Sequence, residues 1–129
     1  MPVFDVVTTP SWPKGYTFSP AVRAGNLLFL SGTTASDDNG QIVGPGDIVA
    51  QARYIYQKFA KLLAAAGAGF EHIVETTEYV TTTENYRETA DVRREVFKGR
   101  FPAATGVIVK GLLREGALIE ISAVAVLPG

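Results

Sequence analysis

The sequence predicts an α+β sandwich, a mixed β-sheet with two helices packed on one face, and three observations lead to it. Residues 119–125 alternate strictly, with Ile119, Ile121, Ala123 and Ala125 on one side and Glu120, Ser122 and Val124 on the other, the pattern of a strand covered on one face. Between Asp47 and Ala66 the apolar period changes, because Ile48, Ala52, Ile55, Phe59, Leu62 and Ala66 recur three and four residues apart. Finally, strand-like and helix-like segments follow one another in the order ββ(β)αβαββ, which clusters the helices against one side of a sheet. The 129 residues fit one domain, 1–129, long enough to bury roughly two-thirds of the surface its unfolded form exposes.

The first strands are Val22 and Leu27–Leu30, flanking Ala24-Gly25-Asn26, where Gly and Asn tolerate the positive φ of a tight hairpin. Pro10, Pro13 and Pro20 keep the entry to them irregular. Asp37-Asp38-Asn39-Gly40 is a turn before a short β segment at Ile42 and Val43. The first helix starts at Asp47 as N-cap and stops at Gly67. Ile73–Thr81, rich in β-branched residues, is the next strand, and Thr81–Thr83 offer caps for a second helix that ends near Gly99. Glu84, Arg87, Asp91 and Arg94 give that helix a solvated face with weak ion pairs. Two strand runs follow between Phe101 and Val126, with Arg114 and Glu115 at the tip of the hairpin joining them.

Composition excludes several functions. Twelve basic and thirteen acidic residues, interspersed, give a formal net charge of −1 and no long-range attraction for nucleic acid or an acidic membrane. There is no cysteine, hence no disulfide or thiolate chemistry, and the N-terminus lacks a basic and apolar leader, so a soluble cytoplasmic protein is expected. Apolar residues make up 47% of the chain, generous for a small monomer, so part of that surface is expected to meet another copy of the chain. One histidine, no HExxH, no GxSxG and no phosphate loop leave no metal, serine-hydrolase or nucleotide site, and no cofactor is expected. His72, just before an apolar strand, reads as a helix-end residue, and Trp12 as a packing anchor.

Four segments in order, FSPAVRAGNLLFLSG at Phe18–Gly32, AQARYIYQKFAKLLAAAG at Ala50–Gly67, IVETTEYVT at Ile73–Thr81 and the run from Phe101 to Val126, resemble the RidA family, also called YjgF/YER057c/UK114. The resemblance covers nearly the whole chain. It implies a fold like that of chorismate mutase and a homotrimer in which the sheets line a central barrel, helices lie outside, and ligand clefts sit between subunits. It also implies cofactor-free hydrolysis of reactive enamines and imines, with an arginine gripping the substrate carboxylate. A guanidinium suits that task because its fork of donors matches two carboxylate oxygens.

At the positions that the resemblance assigns to the site, this chain departs from the family. The arginine is matched by Ala104, a cysteine two residues on by Gly106, and the cleft tyrosine by Phe18. Glu120 matches the glutamate that positions water, and Gly32 the glycine whose backbone lines the cleft. Thr105 adds a hydroxyl beside the lost arginine, although alternation turns it away from Ala104 and Gly106. Glu78 is either a structural partner for a basic residue, an exposed edge position, or a second carboxylate in the cleft with Glu120. Arg114 is either a solvated loop residue or a replacement anion anchor. Glu120 likewise reads as a solvated residue of an outer sheet face or as a general base. The expected activity is therefore RidA-type hydrolysis or deamination of an enamine, imine or related metabolite other than 2-aminoacrylate, and the alternative is a trimer that binds a small metabolite without chemistry.

Overall fold

The computed structural model describes residues 2–128. Six strands form one mixed sheet: β1 (Asp5–Val7), β2 (Ala21–Ala24), β3 (Leu27–Thr33), β4 (Ile73–Val80), β5 (Ala103–Ile108) and β6 (Ile119–Val126), in the spatial order β1-β2-β3-β6-β4-β5. Helix α1 (Ile48–Ala65) joins β3 to β4, and α2 (Thr89–Phe97) joins β4 to β5. Both are crossovers between parallel strands, since β3 and β4 each run antiparallel to β6 and β5 runs parallel to β4. Right-handed crossovers in one sheet put both helices on the same face.

The local signals act as the sequence predicts in most places. Asp47 Oδ1 accepts from the Ala50 amide at 3.0 Å to cap α1, and Gly67 (φ 75°) turns the chain out of it. Gly25 supplies the left-handed residue of the β2–β3 turn. The stripe of α1 buries Ile48, Ala52, Ile55, Phe59 and Leu63 against Leu28 and Leu30 of β3 and Ile119, Ile121, Ala123 and Ala125 of β6. His72 closes a 3₁₀ turn before β4, its Nδ1 accepting from the Gly69 amide at 3.0 Å.

Four expectations change. Asp5–Val7 pairs with β2 and adds a strand ahead of the prolines. Ile42 forms only an isolated bridge to Ser36, because Asp37 Oδ1 accepts from the amides of Asn39 and Gln41 and holds a compact turn instead of a strand. The second helix begins at Thr89, not at Thr81–Thr83, because Asn85 adopts a left-handed φ of 58° and a 3₁₀ turn intervenes at Tyr86–Glu88. Glu84 and Arg87 therefore lie outside it, while the Arg94–Asp91 pair at 2.7 Å is an exposed i, i+3 contact. The fourth change concerns Arg114. No hairpin joins β5 to β6, because β4 lies between them, and residues 109–118 are a crossing connection.

Among the described residues the face of the sheet away from the helices has no covering layer. Phe29, Leu27, Val74, Val107 and Val126 stand on it with a third or more of their surface exposed. Strand β5 is exposed at every position, and Ile108 at its end is 65% exposed. No helix among the described residues is long and apolar enough to cross a membrane.

Candidate functional site

The register of the sheet decides which candidate residues can meet. Strands β4 and β6 pair Tyr79 with Glu120 and Glu78 with Ile121, and directly paired residues share a face. Glu120 therefore stands on the open face with Tyr79, whereas Glu78 stands on the helix-covered face with Ile121. Within one chain the two carboxylates therefore stand on opposite faces of the sheet. The alternation that groups Glu78 with Thr76 and Val80 holds, and so does its reading as a structural partner: it is 4% exposed and lies 3.4 Å from the Arg93 guanidinium.

Glu120 lies beside a break in the sheet. Leu30 pairs with Ala123 and Thr33 with Ile121, so Ser31 and Gly32 oppose the single residue Ser122 in a β-bulge. The glycine makes room for the acid. A Cβ added to Gly32 would lie 2.6 Å from Glu120 Oε2, closer than non-bonded atoms approach. Among the described residues the Glu120 carboxylate has no hydrogen-bond partner, and burial raises its pKa above the ordinary glutamate value.

A cavity of about 550 Å³ opens at this bulge. It brings together Glu120, Gly32, Phe18 and Arg114, four of the residues singled out in the sequence. Its aromatic wall is a cluster: Phe18 stacks on Tyr16 at 5.4 Å between centroids, and Trp12 sets its edge against both rings. Trp12 is thus the packing anchor its sequence context predicts. Arg114 reaches the cavity from the 109–118 connection, donating from Nη2 to the Tyr16 hydroxyl at 3.0 Å and from Nη1 to the Gly40 carbonyl at 3.3 Å. A phenol hydroxyl thus lines the cavity two residues before Phe18, on Tyr16, a residue the sequence reading did not single out.

Lys58 is a second residue the sequence reading passed over. It projects from α1 into the cavity wall and donates to Thr33 Oγ1 at 2.6 Å, the Thr34 carbonyl at 2.9 Å and Ser36 Oγ at 3.3 Å. An ammonium has three donors, so all are engaged. Burial first, and then the nearby Arg114 charge, lower its pKa to about 8. Lys58 fastens α1 to the segment that follows the bulge, and contributes a field to the cavity without a free donor.

The remaining candidates sit two strands away. Ala104 and Gly106 pair with Thr76 and Glu78 and so point to the helix side of β5, while Thr105 pairs with Thr77 and points to the open face. Thr105 thus turns away from its neighbours as alternation predicts. A smaller hollow of about 290 Å³ lies against this strand, walled by Val80, Thr83, Tyr86, Gly106, Val107 and Ile108. Within one chain the Glu120 cavity and the β5 edge are therefore separate places. Among the described residues no cluster of His, Asp or Glu has the arrangement to hold a metal ion.

Comparison with known proteins finds the same frame elsewhere. The model of the family described as Endoribonuclease L-PSP matches residues 13–127. Protein DfrA of Myxococcus xanthus is 35% identical over 111 residues, covering 86% of this chain and 84% of that protein. A RutC family protein of Pyrococcus horikoshii is 31% identical over 122 residues, with 94% and 96% covered. Among solved structures, that of a conserved Rid family protein, YyfA of Yersinia pestis, superposes with a TM-score of 0.87 at 31% identity, over 96% of this chain and 99% of the other.

Proposed function

We propose that this chain, which belongs to the Endoribonuclease L-PSP family, the RidA or YjgF family, is a cofactor-free hydrolase that deaminates a reactive enamine, imine or related small metabolite in clefts between the subunits of a cytoplasmic homotrimer. The observation that carries this reading is Glu120: a carboxylate with no hydrogen-bond partner among the described residues, half-buried at a β-bulge, lining an aromatic-walled cavity. A base in that state is ready for proton transfer.

The step needs only water and this acid. Glu120 takes a proton from a water molecule as the water oxygen bonds to the carbon of the C=N group, then returns it to the nitrogen to give a carbinolamine, whose amine takes a second proton from solvent. The C–N bond then breaks, the hydroxyl proton is released as the carbonyl forms, and ammonia leaves. Desolvation favours this chemistry because it raises the pKa of the carboxyl group towards the working pH. Gly32 keeps the carboxylate at the bulge, and Phe18 with Tyr16 presents a flat apolar wall suited to a conjugated C=C–C=N system. Arg114 keeps donors to spare at this cavity, since among the described residues two of its five N–H groups have partners.

The open, apolar sheet face supports the trimer, and the trimer is what would bring the β5 edge of one subunit to the Glu120 cavity of its neighbour. There Ala104 supplies no guanidinium and Gly106 no side chain. Activity on 2-aminoacrylate is accordingly expected to be weak, since a charge-assisted pair with its carboxylate, worth about 1.5–3 kcal/mol, is missing from that edge. Generating 2-aminoacrylate enzymatically and following pyruvate tests this. A rate equal to that of an arginine-containing relative would mean that Arg114 has taken over the clamp.

The absence of that arginine also favours a second reading, a trimer that binds a metabolite without chemistry. Glu120→Gln separates the two. It preserves shape and removes the base, so true hydrolysis should fall roughly 100-fold or more while the oligomer survives. Undiminished turnover would remove Glu120 from the mechanism, and dissociation of the oligomer would make it a packing residue.

A further inference from the structure

The Glu120 chemistry leaves unused a cluster on the other face of the sheet. Glu78, almost fully buried, accepts from the Tyr86 hydroxyl at 2.5 Å. Arg93 Nη1 lies 3.4 and 3.5 Å from its two oxygens. The guanidinium is fixed in turn: it donates to Thr89 Oγ1 at 2.8 Å, the threonine hydroxyl donates to the Tyr86 carbonyl at 2.6 Å, and the charge lies 5.6 Å from the centre of the Tyr86 ring. The tyrosine is thereby held at both its backbone and its hydroxyl.

The direction of the hydrogen bond matters. A carboxylate bridged to a guanidinium can only accept, so the phenol proton points at Glu78 and the phenol lone pairs are turned elsewhere. Burial, followed by the Glu78 hydrogen bond, raises the Tyr86 pKa to about 12, so it remains a phenol at any working pH. Gly106 lies opposite Glu78 on β5. A Cβ there would meet the Tyr86 hydroxyl oxygen at 3.4 Å and nothing else within 4 Å. Any larger residue would cover that oxygen from the strand side. With glycine it borders the 290 Å³ hollow, whose other walls are almost wholly apolar.

We propose that the Tyr86 hydroxyl, oriented by Glu78 and Arg93 and left uncovered by Gly106, accepts a hydrogen bond from the N–H end of the ligand, so that this edge selects neutral or cationic nitrogen compounds over small carboxylates. The inference rests on the subunit-cleft reading above, in which positions 104 and 106 face the ligand. On that reading the polarity of the edge is inverted. A donor fork for carboxylate is absent, and an acceptor backed by a buried negative charge takes its place.

The test compares 3-aminocrotonamide, a neutral enamine with N–H donors, with its dimethylamino analogue, which lacks them at that nitrogen, by calorimetric titration of the intact protein. The wild type should bind the N–H compound about tenfold more tightly, the worth of one good hydrogen bond. Tyr86→Phe should abolish that preference while leaving the analogue's affinity unchanged. Gly106→Ala, which covers the hydroxyl without touching the Glu78 bond, should likewise abolish the preference, and the double variant should show none either. Equal losses for both compounds in Tyr86→Phe, a preference that survives Gly106→Ala, or no binding of 3-aminocrotonamide by the wild type at millimolar concentration would each overturn the inference. Its failure is separate from that of the hydrolase reading. Loss of preference alongside Glu120-dependent turnover removes only the role of Tyr86, and an intact preference without turnover removes only the hydrolase.

Discussion

Gly32→Ala should separate the geometry of the candidate site from the stability of the fold. The new methyl group would overlap Glu120 Oε2 at 2.6 Å but meets the Cδ and Cγ atoms at 3.4 and 3.6 Å, so only the end of a flexible side chain must move. Rotating the carboxylate out of its well costs about 0.5–1.5 kcal/mol. Against this, replacing a strand glycine whose φ is not positive recovers about 0.5–1 kcal/mol of backbone entropy. The two nearly cancel, and the melting temperature should shift by no more than a few degrees. Turnover should not be spared, since displacing a catalytic group by about 1 Å costs on the order of 100-fold. Calorimetry and a steady-state hydrolysis assay on the same preparation read both quantities. Gly111→Ala is the control, because a Cβ there meets nothing within 4 Å. Full activity in Gly32→Ala would show that Gly32 does not position the base, and a collapse in melting temperature would show that the glycine serves the bulge itself.

The raised pKa of Glu120 places the acid limb of the kcat/KM profile above the ordinary glutamate range, with activity falling as the pH drops through it; Glu120→Gln should erase the limb. Lys58 titrates near 8 when folded against 10.5 when unfolded, so between those values the unfolded chain binds the extra proton and stability should rise with pH. Difference melting curves should lose up to about 3 kcal/mol of that rise in Lys58→Met. Sedimentation should report three chains per particle, and Phe29→Asp, which places a carboxylate on the open apolar face, should shift the protein towards smaller species. Tyr56→Phe should be neutral or stabilising by about 1 kcal/mol in denaturant titration, because the Tyr56 hydroxyl is buried without a partner among the described residues.

What was legible in the sequence is what depends on local period. The α1 stripe, its Asp47 cap and Gly67 stop, and the inward face of β6 follow from spacing alone, and the structure keeps them. The path of the chain between elements was not legible. Alternation shows that Glu78 and Glu120 each differ from their neighbours, but only the register between β4 and β6 shows that they face opposite sides. Nothing in the residues from Ile108 to Ile119 distinguishes a hairpin from a connection that crosses β4. Tyr16 and Lys58 were missed for a different reason. Lys58 stands three residues after Ile55 and four before Leu62, inside the apolar stripe, and that misfit was its signal. Tyr16 is separated from Phe18 by a single residue in a proline-rich entry segment, where no period exists to mark a shared face.

On the hydrolase reading proposed above, the separation of Glu120 from Ala104 and Gly106 within one chain would let the fold keep a base while changing what it recognises. Glu120 sits beside the bulge in β3, where Gly32 leaves room for its carboxylate. Positions 104 and 106, to which that reading gives recognition, lie on β5, an edge strand exposed along its whole length, whose side chains bear little of the core. Losing a long polar side chain there costs the monomer little stability, because exposed positions tolerate substitution. The buried ion pair behind β5 is the opposite case: removing Arg93 alone would leave Glu78 charged in an apolar layer, at a cost of about 3–5 kcal/mol. Substitutions at 104 and 106 are therefore free to follow the ligand, while the Glu78, Tyr86 and Arg93 set must be kept or replaced as a unit. A polar cluster retained in that way, next to a strand position stripped to glycine, fixes the polarity of the edge.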